Sequence, residues 1–524
     1  MQRESLARGA LALAIAGLLV KVSGLALRIP LTHMIKSEGI GIYQMALPAF
    51  YALFAFAAGG VPTAVNNMVA EYWTRGQYRT AERVLHLSLA FSTFAGGLAT
   101  CVLLIGAPLL ARALGDERSY WPLIAIAPAI YLYALDNCYR NYLQGRQIMT
   151  PSAVGSVLEQ GARVVATLAA AYWLMDHGIT FGAAGAALGM TVGAITSVLY
   201  MAAVYRRVRV REQAPGERST PTYVLIRRMV ALAWPITIGA LILPLLSLLD
   251  VGIVQRGFQK AGYSVGEATA MYGYYQGIAA QVVWFPIILT NALAGALVPK
   301  LTGLKAAGQT GQLREKIVMA MRACGLVGLP AAVGVAVLAH PIALLFGEPA
   351  AWVPLLWLAP IAYLGPLFWM MAGVLQGLGR TGIPLRNFGL AMALKLALDF
   401  LLAPIPGVDI RGVAGASVVW FLVACWLNAR SLERELDFSL PWSRLLVGPL
   451  LASVAMGGAL LGLFASGLTP AGMWGRLAYA LTLAPVLYTL ILVVTRTVTW
   501  EDIRMMGGPI APRLERLWNL LRFW

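Results

Sequence analysis

Long apolar runs alternate along the chain with short stretches rich in charge, glycine or proline. Fourteen such runs can be drawn, over residues 9–30, 42–63, 84–111, 121–143, 152–175, 181–204, 229–254, 271–298, 317–345, 353–376, 383–404, 412–429, 445–466 and 474–495. Each is close to the roughly 20 residues that a helix needs to cross a hydrocarbon core. The pattern predicts an all-α polytopic membrane protein of about 14 transmembrane helices. An even number of spans puts both termini on one side.

Composition agrees: 59% of the 524 residues are apolar and 12% are charged, with a mean hydropathy of +0.72. Average globular chains are about 25% charged, so most of this chain has lipid as its solvent and no soluble domain of ordinary size is left over. The first apolar run contains Lys21 and Arg28 and lacks a small-x-small cleavage site, so it is expected to be the first membrane helix and not a signal peptide. A net charge of +17 would suggest nucleic acid in a soluble chain; in a polytopic one it records orientation. With span edges counted alongside the adjoining loops, the termini and even-numbered loops hold 29 of the 40 basic residues and the odd-numbered loops hold 7. Both termini are therefore expected to be cytoplasmic, in the cell membrane. The odd-numbered loops are short, the longest being about residues 255–270, which counts against a catalytic external domain. Four scattered cysteines and four scattered histidines suggest no disulfide framework, metal site or cofactor; the cysteines read as small core residues. Residues 500–524 mix Leu514, Leu517, Trp518, Leu521 and Trp524 with Arg513, Arg516 and Arg522, as an interfacial helix would.

Three segments recur in order. Leu143-Gln144-Gly145 with Pro151 returns as Leu375-Gln376-Gly377 with Pro384, and Gly182-Ala183-Ala184-Gly185-Ala186 as Gly412-Val413-Ala414-Gly415-Ala416. Tyr43-Gln44 leading to Val61-Pro62 returns as Tyr275-Gln276 leading to Val298-Pro299. The offset spans six helices, an even number, so two six-helix lobes are expected to be related by a pseudo-two-fold axis along the membrane normal. That gives an N-lobe over 1–205, a basic linker over 206–228, a C-lobe over 229–430, helices 13 and 14 over 431–499, and the terminal segment. Substrate would bind between the lobes, their rocking giving alternating access. Tight packing of small residues is the other source of motifs such as GxAGA.

Ionisable groups inside spans cost about 2.5–3.5 kcal/mol each at a helix centre on insertion scales, so they mark candidate function. Glu159 and Arg163 are four apart, as are Lys395 and Asp399, which lets each pair neutralise itself on one helix face. Asp136 beside Arg140 reads as a local interfacial pair. Lys21 and Arg28, seven apart, share a face about 10.5 Å apart along the axis, with no acid on their helix and Gly24 between them. Two such cations suit an anion, for which arginine offers a bidentate fork and lysine a point charge. The alternative is that Arg28 snorkels outward while Lys21 pairs with an acid elsewhere.

The stretch Lys21-Val-Ser-Gly-Leu-Ala-Leu-Arg28-Ile-Pro-Leu, then Glu38-Gly-Ile-Gly-Ile-Tyr-Gln-Met45 and Gly60-Val-Pro62, resembles the opening of the stage V sporulation protein B group, within the multidrug/oligosaccharidyl-lipid/polysaccharide exporter superfamily. Leu143-Gln-Gly145, Met149-Thr-Pro151 and Glu159-Gln160 with Arg163-Val164 resemble its GxxQGxxxMxP and EQxxRV patterns, with Asn141 where the first glycine would stand. Trp234-Pro-Ile-Thr-Ile-Gly239, Asp250, Glu267-Ala-Thr269 and Tyr272-Gly273 look like its seventh and eighth helices. The resemblance implies a flippase that moves undecaprenyl-diphosphate-linked glycans, such as the peptidoglycan precursor lipid II, to the outer leaflet for cell-wall, spore-cortex or surface-polysaccharide assembly. It also implies a prenyl groove on helices 13 and 14. Lys21, Gly24, Arg28, Gln44, Glu159 and Arg163 are the expected substrate-binding residues. Asp250, Lys395 and Asp399 are the expected coupling or charge-pair residues. Asp250 and Asp399 match a sodium site of some relatives, with Lys395 placed to replace the ion. Relatives that move lipid II carry further basic residues in helices 2 and 8; nothing basic lies between Gln44 and Glu71 or between Lys260 and Lys300. Expected partners are the lipid-linked glycan, the bilayer and cell-wall synthases, without nucleic acid, for a monomeric chain. The rival readings are an ion-coupled multidrug exporter on the same fold and a membrane glycosyltransferase or ligase using lipid-linked sugars.

Overall fold

A computed structural model describes residues 6–208, 220–287, 301–466, 473–495 and 497. Among them there is no strand. The helices are α1 (Leu6–Ala58), α2 (Val61–Thr74), α3 (Tyr78–Leu114), α4 (Tyr120–Gly145), α5 (Thr150–Met175), α6 (Ile179–Val208), α7 (Thr222–Lys260), α8 (Val265–Tyr272), α9 (Ala280–Val283), α10 (Thr310–Val337), α11 (Ala339–Leu345), α12 (Trp352–Leu358), α13 (Ile361–Gly377), α14 (Gly382–Leu402), α15 (Asp409–Leu436), α16 (Trp442–Ala465) and α17 (Met473–Val494). A π-turn, Gly273–Ala279, joins α8 to α9. As far as the described residues reach, each of the fourteen apolar runs falls mostly on helical backbone, with short turns or bends inside or at the edge of seven of them, at residues 59–60, 284–286, 338, 359–360, 403–404, 466 and 495. Among those residues, eight helices are long and apolar enough to cross a membrane, or nine if Pro349–Leu358 and Ile361–Gly377, bent by 42°, form one broken span. Outward apolar side chains such as Ile105, 82% exposed, mark faces that water would not tolerate in such number.

The first two apolar runs are not separated by a loop. Helix continues from Leu6 to Ala58, broken only at Lys36 (φ 57°, ψ 176°), a conformation that is costly for a side-chain-bearing residue and replaces the expected eleven-residue connection. The second run also extends past its expected end through a break at Gly59-Gly60 into α2. The cause is α7: the Gly60 N–H donates to Thr237 Oγ1 at 3.0 Å, and a Cβ on Gly60 would lie 2.0 Å from the Ala233 carbonyl oxygen.

The chain divides into two compact units. The first comprises Met1–Gly277 with Ala403–Pro406, the second Ile278–Leu402 with Gly407–Trp524. In the first unit α6 lays glycines on α5: a Cβ at Gly189 would sit 1.9 Å from Thr167 Oγ1, and one at Gly193 would sit 3.0 Å from Arg163 Cβ. The glycine-alanine motif thus serves the close packing that small residues permit.

The repeat also leaves a structural trace in this unit. A Cβ on Gly41 would fall 2.0 Å from the Thr269 carbonyl oxygen, and one on Gly273 would fall 1.9 Å from that of Ser37. Position 273 is 41 shifted by 232, and 269 is 37 shifted by 232. The second arm of α1 therefore crosses the α8 segment through reciprocal contacts, as elements related by a two-fold axis do. Gln44 Nε2 donates to the carbonyl of its repeat partner Gln276 at 2.9 Å.

In the second unit, Phe368, Phe388, Trp420 and Phe421 form an aromatic core, with Phe368 and Phe388 stacked at 4.4 Å. Met456, Leu460, Tyr488 and Leu492 of α16 and α17 pack with Leu326 of α10. Cys138, Cys324 and Cys425 are buried, but Cys101 is exposed on α3, which corrects its expected place in a core. The middle of the basic linker and the segment 500–524 lie outside the described residues.

Candidate anion-binding site

The first arm of α1 carries Lys21, Gly24 and Arg28 on one stripe. Lys21 is exposed, and it has no ion pair among the described residues. Gly24 faces α5, where the Gln160 Nε2 lies 3.7 Å from the position of a Cβ. Arg28 turns inward and does not snorkel. Its Nη2 donates to Gln44 Oε1 at 3.4 Å, and its Cζ lies 5.3 Å from the centroid of the Tyr43 ring. Its Nη1 is buried and has no hydrogen-bond partner. An arginine with an idle donor in such a setting is costly unless a ligand completes it.

Glu159 and Arg163, spaced so that they could neutralise each other, make no ion pair. The Glu159 carboxylate accepts from Arg140 Nη2 at 2.9 Å and from the Tyr133 hydroxyl at 2.8 Å, and it makes no ion pair with Arg163. The reason is that Arg140 is fully committed. Its Nε binds Asp136, its Nη1 binds the Ser152 carbonyl at 2.9 Å and Ser156 Oγ at 2.6 Å, and its Nη2 binds Glu159 and, at 2.5 Å, Ser197 Oγ. This knot ties α4, α5 and α6 together. Asp136, expected in a local interfacial pair, is 2% exposed within it. Arg163 is left among phenols, electrostatically coupled to Tyr43, Tyr133 and Tyr51. Arg28 and Arg163 feel one another's charge. Two guanidiniums thus sit at Tyr43, neither in an ion pair, although Glu159 still feels the charge of Arg163; such an arrangement has the chemistry to hold a multiply charged oxyanion.

The remaining charges behave differently. Asp250 on α7 is buried. On α14, Lys395 Nζ donates to Asp399 Oδ2 at 2.6 Å, with side-chain exposures of 1% and 0%. Away from the cations, Arg118 clasps Asp116 at 2.8 Å and Glu38 at 2.5 Å, while Thr269 donates to Asp116 at 2.7 Å and Gln255 to Thr269 at 2.6 Å. The bond to Asp116 is the main cause that holds the Arg118 guanidinium above its ordinary pKa, burial opposing it and Glu38 adding to it. An open cavity of about 440 Å³, with Arg112, Arg256 and Gln259 in its wall, lies beside this clasp and not at Arg28. Ser264 and Glu267 cap α8 reciprocally, so the Glu267-Ala-Thr269 motif starts a helix and feeds the clasp.

The sequence pointed to Arg28, Gln44 and Arg163 as separate candidates, and the fold brings them together through Tyr43. The roles of Arg140, Tyr43 and Tyr133 were missed, since each acts on a residue of another helix turn or another helix. Against this background, a model of the polysaccharide biosynthesis protein family matches residues 6–305, more than half of the chain. The chain belongs to that family. It is a multi-pass membrane protein. Over 447 residues it is 28% identical to the stage V sporulation protein B of Bacillus subtilis (strain 168), covering 84% of this chain and 86% of the relative. It is 22% identical over 461 residues to lipid II flippase MurJ of the same organism, covering 83% and 84%. Its fold is similar to a solved structure of lipid II flippase MurJ in an inward closed conformation, with a TM-score of 0.68 and 12% identity, over 92% of this chain and 98% of that one.

Proposed function

We propose that the family member described above is a flippase for polyprenyl-diphosphate-linked glycans, lipid II or a related cell-wall, spore-cortex or surface-polysaccharide precursor. It carries them from the inner to the outer leaflet by alternating access. The doubly charged diphosphate is gripped by Arg28 and Arg163, steered by Lys21 and approached closely at Gly24, while the prenyl tail stays in lipid. Gln44 holds Arg28, and Tyr43 sits between the two guanidiniums.

The observation that carries this reading is the pair of guanidiniums at Tyr43, neither in an ion pair and one of them with an unfilled buried donor. Two charge-assisted forks at that spacing are worth far more to a phosphate ester than to a neutral or cationic drug. An exporter of organic cations would instead present carboxylates, and Glu159, one turn before Arg163, is spent on Arg140. The relatives named above support the same direction. In this reading Asp250, Lys395 and Asp399 take no part in the grip, and the Lys395 ammonium takes the place of a coupling cation at Asp399.

The test is reconstitution of the full chain into liposomes with a fluorescent polyprenyl-diphosphate disaccharide, scoring leaflet exchange with and without an ion gradient. Exchange that a polyprenyl diphosphate inhibits and a polyprenol does not is the expected result. Absence of exchange under all gradients, or equal inhibition by both lipids, overturns the reading.

A further inference from the structure

The Arg140 knot has no place in gripping a substrate, yet it determines what Glu159 can do. Glu159 precedes Arg163 by one helical turn, the orientation that favours an ion pair on an isolated helix. Left to itself, α5 would close that pair and neutralise Arg163. Arg140 prevents this with a guanidinium whose five N–H donors are all engaged across α4, α5 and α6, and Tyr133 holds the other carboxylate oxygen. We infer that Arg140 is a positioning residue that restrains Glu159 and so keeps Arg163 available for the diphosphate. The inference rests on the proposed grip and adds to it a determinant of anion affinity that touches no substrate. It also explains why a carboxylate is tolerated one turn from a phosphate ligand: it is tied to a cation that is itself tied to Asp136.

The probe is farnesyl diphosphate, titrated calorimetrically into the full chain in nanodiscs, with thermal unfolding monitored for every variant. Arg140→Gln releases Glu159, and binding is expected to weaken at least about tenfold, since an opposite charge near 4 Å is worth several kcal/mol at a surface-like dielectric. Adding Glu159→Gln to Arg140→Gln is expected to bring binding back to within about threefold of the unsubstituted chain. Adding Asp136→Asn repairs the buried charge equally well but leaves Glu159 free, so it is expected to restore stability and not binding. Equal rescue by both second substitutions, or by neither, overturns the inference, as does unweakened binding in Arg140→Gln. Should Arg140→Gln fail to fold, Glu159→Gln alone decides: binding at least as tight as that of the unsubstituted chain supports the restraint, and a tenfold loss overturns it. Arg28→Gln separates the two levels. If it binds farnesyl diphosphate normally, the grip itself is wrong; if it loses binding while Arg140→Gln does not, only the restraint is wrong.

Discussion

Two helices of this protein carry the same local signal and resolve it in opposite ways. On α14, Lys395 and Asp399 are four residues apart, closed at 2.6 Å and almost wholly buried. On α5, Glu159 and Arg163 have the same spacing and stay open, because Arg140 reaches Glu159 from α4. The orientation preference of an isolated helix favours acid before base, which would close α5 more readily than α14. Tertiary structure reverses that order. A buried pair with its charges matched is a packing element; a pair broken by a third partner leaves a cation with a task. Position alone did not distinguish them, since the deciding atom lies 19 residues away from Glu159.

The largest expected effect breaks the closed pair. Asp399→Ala removes the carboxylate to which the buried Lys395 ammonium donates at 2.6 Å, and stability should fall by up to about 3–5 kcal/mol, read as a large fall in the thermal midpoint in detergent. Replacing both, as Lys395→Met with Asp399→Leu, should recover most of it and leave transport measurable. If the double replacement stays folded but abolishes lipid exchange, the α14 pair takes part in coupling and the contrast drawn here is wrong.

Next in size is removal of the open cation. Arg28→Ala takes away one guanidinium of the grip, and exchange of the labelled lipid should fall on the order of a hundredfold, the effect of truncating one side of a desolvated charge contact at roughly 2–5 kcal/mol. Stability should change little or rise, because an unfilled donor is lost with it. A sharper version turns the open site into a closed one: Gln44→Glu puts a carboxylate where Gln44 Oε1 now accepts from Arg28. Exchange should drop about tenfold or more while the thermal midpoint rises, the two readouts moving in opposite directions. Parallel movement of both would mean that Gln44 matters only for its bond to the Gln276 carbonyl.

Much of the architecture was legible because lipid imposes a coarse rule: the fourteen apolar runs became mostly helical backbone where they are described. What was hidden depends on approach between distant backbones. The turn at Lys36 and the break at Gly59-Gly60 follow from how α7 and α8 press on α1, and no run length encodes them. Arg28 was visible as a charge where charge is expensive, and Gln44 was visible through its family motif and its repeat. Arg163 was named a substrate-binding candidate, yet its spacing from Glu159 equally allowed a closed pair, since spacing reports only the residue's own helix. The clasp of Arg118 on Glu38, 80 residues earlier, carried no local signature at all.

Lys21 offers the smallest effect and the finest division between reading the sequence and reading the fold. From the sequence it stands level with Arg28, both being cations on one stripe with no acid on their helix. In the structure it is exposed and one further step along α1, whereas Arg28 and Arg163 share Tyr43. An exposed charge acts through a screened field, with a Debye length of about 8 Å at physiological ionic strength. Lys21→Ala should therefore slow exchange only about threefold at low salt, in keeping with the 0.2–1 kcal/mol typical of exposed pairs, and the deficit should vanish near 0.5 M salt, roughly where screening reaches a few ångströms. Arg28→Ala should show no such salt relief. A Lys21→Ala chain that is inactive at every ionic strength would make the ammonium a direct phosphate ligand, and Arg163 would then lose its place as the second half of the grip.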